Sequence, residues 1–333
     1  MATCLTNACM AVVLVLSCNT HLLATDTTAN TSVAAPNDHQ ATALLQQGRV
    51  EEATALLRQT LATQPTDAVA HQLLCRIFYA QEMADKAIHE CELAVSNAPD
   101  DSITHMWLGR ALGLKASHAS PFVALGLARK VHMAFERAIE LDATNVYAMN
   151  DLGEYYVAAP AIIGGGLDKA ETLAATMLRL YPAQSHRLSG LIAEKKKDIA
   201  TAETEFKNAV AAGKTPEAYI DLGHFYRRQN QPEKILAALQ AGIDADRRRD
   251  ASLVDAASIL SAANLSPQLA ESLLREYLSS PAKSDDAPAF KVHLQLGDLL
   301  AQQGDSAGAQ REYAAALLLA PNYTPARKAV TRS

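Results

Sequence analysis

The chain has 333 residues, enough for two globular domains or one continuous array of repeats. Its formal charge of −6 excludes a general attraction to nucleic acid or to anionic membranes. Aromatic residues make up only 5%, and alanine-rich helix formers dominate.

The N-terminus stands apart. Met1 to Ala24 holds no Asp, Glu, Lys or Arg, and Met10 to Leu16 is an apolar core too short for a stable bilayer anchor. We expect a signal peptide over 1–24, with cleavage near Ala24, and a periplasmic or secreted protein. A rival reading rests on Val15-Leu16-Ser17-Cys18, which resembles a bacterial lipoprotein signal. Lipidation of Cys18 would then tether an outer-membrane lipoprotein. Residues 25–37 are polar and small and read as a flexible lead.

From Asp38 onward a pattern recurs. In Phe290 to Pro321, Leu296, Gly297 and Leu300 share one helical face, Gly304 and Asp305 mark a turn, and Ala309, Tyr313 and Ala316 share the next. Pro321 closes the unit. Cys75, Ala87, Cys91, Ala94 and Pro99 fall at the offsets of Gly297, Ala309, Tyr313, Ala316 and Pro321, and Ala41, Ala53, Leu57, Thr60 and Pro65 repeat them. The step from Pro65 to Pro99 is 34 residues. This resembles the tetratricopeptide repeat family in period and in its small-residue, aromatic and proline positions. The resemblance implies an all-α fold of antiparallel helix hairpins stacked as a right-handed superhelix. It implies about eight hairpins over 38–321 and a C-terminal cap over 322–333.

Two units depart by insertion. Between Gly109 and Val131 lie ten residues more than the ordinary spacing, with the surplus in Lys115 to Lys130. A long helix from Pro121, capped by Ser120, would absorb part of it and leave a protruding loop. Five further residues fall within Ala158 to Ala170, where Pro160 ends a helix and Gly164 to Gly166 permit an unusual path. Ser279 to Pro288 is a polar linker. Cys75 and Cys91 occupy inward positions on the two helices of one unit, where they could face each other. That permits a disulfide in an oxidising compartment or two buried small hydrophobes; we take the second reading.

Tetratricopeptide solenoids present first-helix residues to partners. By offset from the inward positions, the resemblance places Arg76 and Tyr79, then Met106 and Arg110, then Tyr147, Asn150 and Glu154, and finally Ile220, His224 and Arg227 on that wall. The insertions add Phe122, Ile162 and Ile163 as an apolar ledge beside it. The family's carboxylate-clamp set of Lys, Asn and Arg is not found in the early repeats. Trp107 is read as packing between repeats. His118 beside Ser117 is not a positioned nucleophile, and no zinc or phosphate-loop motif is present. The expectation is a non-enzymatic adaptor without cofactor, which binds an unidentified protein or peptide and no nucleic acid. The alternative is a structural subunit of an envelope assembly that uses its outer face or ends.

Overall fold

The structure, a computed structural model, describes residues 36–332. The expected signal peptide, Cys18 and most of the expected lead lie outside the described residues. Among the described residues, sixteen helices pair in order as hairpins: α1 (Pro36–Gln46) with α2 (Val50–Thr63), α3 (Ala68–Ala80) with α4 (Ala84–Asn97), α5 (Ser102–Ser117) with α6 (Pro121–Leu141), α7 (Val146–Ala158) with α8 (Leu167–Met177). There follow α9 (Pro182–Lys195) with α10 (Ile199–Gly213), α11 (Pro216–Arg228) with α12 (Pro232–Ala245), α13 (Ser252–Ala262) with α14 (Pro267–Ser279), and α15 (Ala289–Gln302) with α16 (Ser306–Leu319). A last helix, α17 (Thr324–Val330), packs on α15 and α16. There is no strand among the described residues, and the fold is an α–α solenoid.

Helix starts are written locally. Asp101, Asn145, Thr215 and Asp305 each accept a backbone N–H of the first turn, and proline opens α6, α9, α11, α12, α14 and α17. The hairpin turn places one residue in the left-handed region, with φ of 79° at Gly48 and 86° at Gly304. The same role falls to Glu82, Lys197, Asn230 and Asn264, at φ of 61°, 66°, 53° and 54°. The turn lacking glycine at Lys197 thus keeps the same geometry at some steric cost.

Three hairpins close on one glycine-to-ring contact. A Cβ on Gly190 would stand 3.0 Å from the Phe206 ring; on Gly109 and Gly297 it would come closer still to Phe135 and Tyr313. Only glycine lets the two helices approach that far. Cys75 and Cys91 occupy this position in the second hairpin, with Cα atoms 5.2 Å apart, and they are joined as a disulfide. This overturns the reading of two separate buried thiols. The closest-approach position that elsewhere holds glycine against a ring brings the two sulfurs within bonding reach.

The chain divides into two compact units. One contains residues 66–79 and 83–213. The other contains 36–65, 80–82 and 214–332. Within the second unit the first hairpin lies against the last. A Cβ on Gly48 would stand 2.9 Å from Phe290 N, Asn322 donates to Glu51 Oε1 at 3.0 Å, and the Tyr323 hydroxyl meets Glu82 Oε1 at 3.2 Å. The Phe290 and Tyr323 rings pack edge-on, 4.9 Å apart. In the same unit the polar linker after α14 is pinned, because Tyr277 donates to Ala287 O and its oxygen accepts Ser284 N–H.

The surplus of the third hairpin is not a loop. It lengthens both helices: α5 runs to Ser117, and α6 has 21 residues where α2, α4, α12 and α16 each have 14. Only 118–120 connect them. Ser120 takes the N-cap backbone geometry but makes no side-chain cap bond. The surplus of the fourth hairpin is a short 3₁₀ turn, Ala161–Ile163, followed by Gly164 and Gly166 at φ of 98° and 148°. The lead is also shorter than expected, since α1 already includes Pro36 and Asn37.

Candidate partner-binding surface

In the unit of residues 66–213, the first helices of successive hairpins carry one connected row of side chains. On α3, Arg76 and Tyr79 reach the Trp107 ring of α5: the guanidinium lies 5.3 Å above it, and the Tyr79 ring meets it edge-on at 5.6 Å. Arg110, one turn along α5, stacks on the same indole at 4.8 Å and donates through Nε to Asp151 of α7 at 2.6 Å. Also on α7, Glu154 is bridged by Arg187 of α9. In this row the ring contacts lie on α3 and α5 and the carboxylates on α7, and each of these three helices is fixed by a neighbour from the next hairpin.

Burial sorts this row. Arg110 is 1% exposed and Asp151 5%, so the pair is taken out of water. Burial pushes the Asp151 carboxyl up, opposed by the Arg110 charge and hydrogen bond beside it. Met106 is also buried. Met106 and Arg110, expected on the partner-facing wall, instead hold the helices together behind it. Arg76, Tyr79, Tyr147, Asn150 and Glu154 are half-buried and form its accessible part. Trp107 packs between repeats as expected. Sequence reasoning missed Asp151 and Arg187. The signal for Asp151 was its offset: like Trp107, it stands two residues before the small inward glycine of its helix.

The other unit carries a shorter row on α11. Ile220 is 1% exposed and belongs to the core, which removes it from the expected surface. His224 and Arg227 are half-buried on the same helix face. Arg227 Nε is shielded from solvent without a hydrogen-bond partner among the described residues, a donor that gains from an acceptor brought by a ligand.

The second insertion is built into a polar corner. The Tyr155 hydroxyl donates to Ile163 O at 2.6 Å, and Lys169 Nζ donates to Gly164 O at 3.0 Å. Gly164 faces the His132 ring of α6 so closely that a Cβ there would stand 2.7 Å from Nδ1. His132 stacks on Tyr155 at 5.4 Å, and its Nε2 lies 2.9 Å from Glu136 Oε1, which also accepts the Tyr156 hydroxyl at 3.1 Å. Burial lowers the His132 imidazole against the pull of Glu136, and burial raises the Tyr155 phenol to about 12. Ile163 is 2% exposed and anchors this corner, so it leaves the expected ledge; Phe122 and Ile162 stand out at 89% and 77% exposure. The insertion meets α6 at His132, ten residues from Phe122, which is about 15 Å along a helix.

Two open clefts run between second helices of neighbouring hairpins. One, of about 530 Å³, has Val95, Leu108, Leu112 and Met133 on its walls, between α4 and α6. The other, of about 460 Å³, lies between α8 and α10 over α9 and includes His186 and Glu205, bonded at 2.7 Å. Ser117 Oγ donates to Leu114 O of its own helix and lies 3.0 Å from His118 at the exposed hairpin tip. Among the described residues no three His, Cys, Asp or Glu side chains are placed to hold a metal, and no helix is long and apolar enough to cross a membrane.

Family models described as tetratricopeptide repeat match residues 44–110 and 290–323. These are the disulfide-bearing early hairpins and the regular eighth hairpin. No curated protein sequence matches the chain. Among solved structures, yeast Tom70 aligns over 92% of this chain and 66% of its own, with 16% identity and a TM-score of 0.54. A thermophilic TPR protein of Thermus thermophilus, TTC0263, aligns over 68% of this chain and all of its own, with 18% identity and a TM-score of 0.43. The Cut9–Hcn1 structure aligns over 88% of this chain at 14% identity and a TM-score of 0.39; the chain spans 54% of that protein's length. At these identities the likeness to Tom70 is one of fold.

Proposed function

We propose that the chain is a non-enzymatic tetratricopeptide scaffold that holds an extended protein or peptide segment along its first-helix wall, in the cell envelope after export. The observation that carries this reading is the row from Arg76 to Arg187. Its buried part, Trp107 with Arg110 and Asp151, fixes the geometry, so the half-buried Arg76, Tyr79, Tyr147, Asn150 and Glu154 are held in place before a ligand arrives. Preorganised aromatic and charged anchors of both signs suit a peptide main chain and its side chains. Export is supported by the apolar N-terminal stretch and by the Cys75–Cys91 disulfide, a bond that persists in oxidising compartments.

The test is capture from an envelope extract by the full chain and by two variants, Arg76→Ala with Glu154→Ala, and His224→Ala with Arg227→Ala. Folding is checked by thermal denaturation. Loss of capture by folded variants supports the wall. Unchanged capture points to the second reading, a structural subunit that uses the outer face, which the apolar cleft between α4 and α6 favours. N-terminal sequencing of native protein tests export: a start after residue 24 supports a cleaved signal, a lipidated Cys18 the lipoprotein form, and a retained Met1 neither.

A further inference from the structure

We propose that the lengthened α5–α6 hairpin is a peripheral membrane contact whose tip enters an anionic lipid surface. This rests on α6 alone and is independent of the first-helix wall. The tip is apolar and open: Phe122 is 89% exposed, Val123 52% and Leu125 38%, and Met133 further along is 66% exposed. Gly126, Arg129, Lys130 and Met133 stand four, seven, eight and eleven residues after Phe122, so the five share one helix face. All five are solvent-exposed.

Up to Phe135, α6 carries cations and no carboxylate; Glu136 and Glu140 follow further along, and with Glu92 of α4 they line the cleft that Lys130 and Met133 share. From Ser102 to Phe135 there is no Asp or Glu, in a chain whose net charge is −6. Lys115 is bridged to Asp85, but Arg129 and Lys130 form no ion pair among the described residues. Order along the helix matters as much as composition. Phe122, Val123 and Leu125 lead, and the two cations stand seven and eight residues after Phe122, about 10–12 Å behind; Met133 lies beyond the cations. That is the sequence of layers in a bilayer leaflet, with acyl chains inside and phosphates outside. A protein partner would have to wrap a convex, solvent-surrounded tip, whereas a lipid surface accepts it without a shaped pocket. Two cations and a few partly inserted side chains give reversible attachment, not permanent anchoring.

Full-length Phe122→Trp places a reporter at the tip, while Trp107 remains buried and constant. Its emission is followed with phosphatidylcholine vesicles alone and with phosphatidylglycerol added, using brominated acyl chains as quenchers. The expected result is a blue shift and quenching only with the anionic vesicles. In the same background, Arg129→Glu with Lys130→Glu should weaken this response by roughly thirtyfold or more. Because the readout is at residue 122, vesicle binding through the N-terminal apolar stretch does not produce it. Far-ultraviolet spectra confirm that the exposed substitutions leave the helices intact. No shift with anionic vesicles, or an undiminished shift after charge reversal, overturns the proposal. A shift that depends on protein concentration without vesicles also overturns it, since a second copy of the chain would then cover the tip.

Discussion

The third and eighth hairpins share one closing contact and differ in nearly everything else. In both, a first-helix glycine receives a second-helix ring, Phe135 on Gly109 and Tyr313 on Gly297. The eighth is tied within itself, where Tyr313 donates to Asp298 at 2.9 Å and His293 pairs with Glu312 at 2.7 Å, and also to the seventh, where Gln295 donates to Ser258 Oγ at 2.8 Å. The third is tied outward to the fourth, through Arg110–Asp151 and through Asn145, which donates to Ser102 Oγ at 2.7 Å. The repeat thus demands one point of close approach and leaves the hairpin tip free to grow.

The sharpest way to break this contrast is Arg110→Ala, which strands Asp151 in a buried site. It should cost about 3–5 kcal/mol in denaturant unfolding, while Arg110→Met combined with Asp151→Leu should recover most of that loss. Next come Gly109→Leu and Gly297→Leu. Each should cost about 1–3 kcal/mol by overpacking, and similar costs at the two sites would establish the contact as the shared element. Gly126→Ala, at the tip where no atom lies within 4 Å, should instead stabilise α6 by up to about 1 kcal/mol, measured as a raised midpoint.

The smallest effect is in pH. The hydrogen bond from His293, helped by its charge and those of the nearby arginines, holds the Glu312 carboxyl below the usual range despite burial. A lowered folded value means the contribution is complete above the unfolded glutamate value, about pH 4.3, and is lost as pH falls through the folded one. Glu312→Gln should therefore flatten the acid limb of the stability profile and leave its neutral part little changed in slope.

Much of the fold was legible because the repeat's constraint is steric and local. Gly109, Gly190 and Gly297 announce close approach, and the rings of Phe135, Phe206 and Tyr313 further along announce what fills it. Where spacing was regular, helix limits followed. The lengthened third hairpin reads as a loop in sequence because Lys115 to Lys130 contains both Ser-Pro and good helix formers, and tertiary support from α4, through Asp85 to Lys115, favours helix. The wall was legible only in part. Offset identifies a helix face, but whether that face is open depends on the next hairpin, which buries Met106, Arg110 and Ile220 and leaves Arg76 and Glu154 accessible. The Cys75–Cys91 bond was a choice between two chemistries of one geometry, and sequence alone does not say how near the two sulfurs come.

The contact between the first and last hairpins bears on how the chain folds. In an open array each repeat touches only its neighbours, stability is a sum of adjacent couplings, and the ends fray first. Here Glu51 and Asn322 bond across a sequence separation of 271, and Glu82 and Tyr323 across 241. Closing such spans carries a loop entropy that short-range contacts never meet, so assembly should be slower and more nearly all-or-none than the number of hairpins suggests. Removing residues 36–63 would not trim a loose end. It would take away the neighbours of Phe290 and Asn322, and the damage would surface at the opposite terminus.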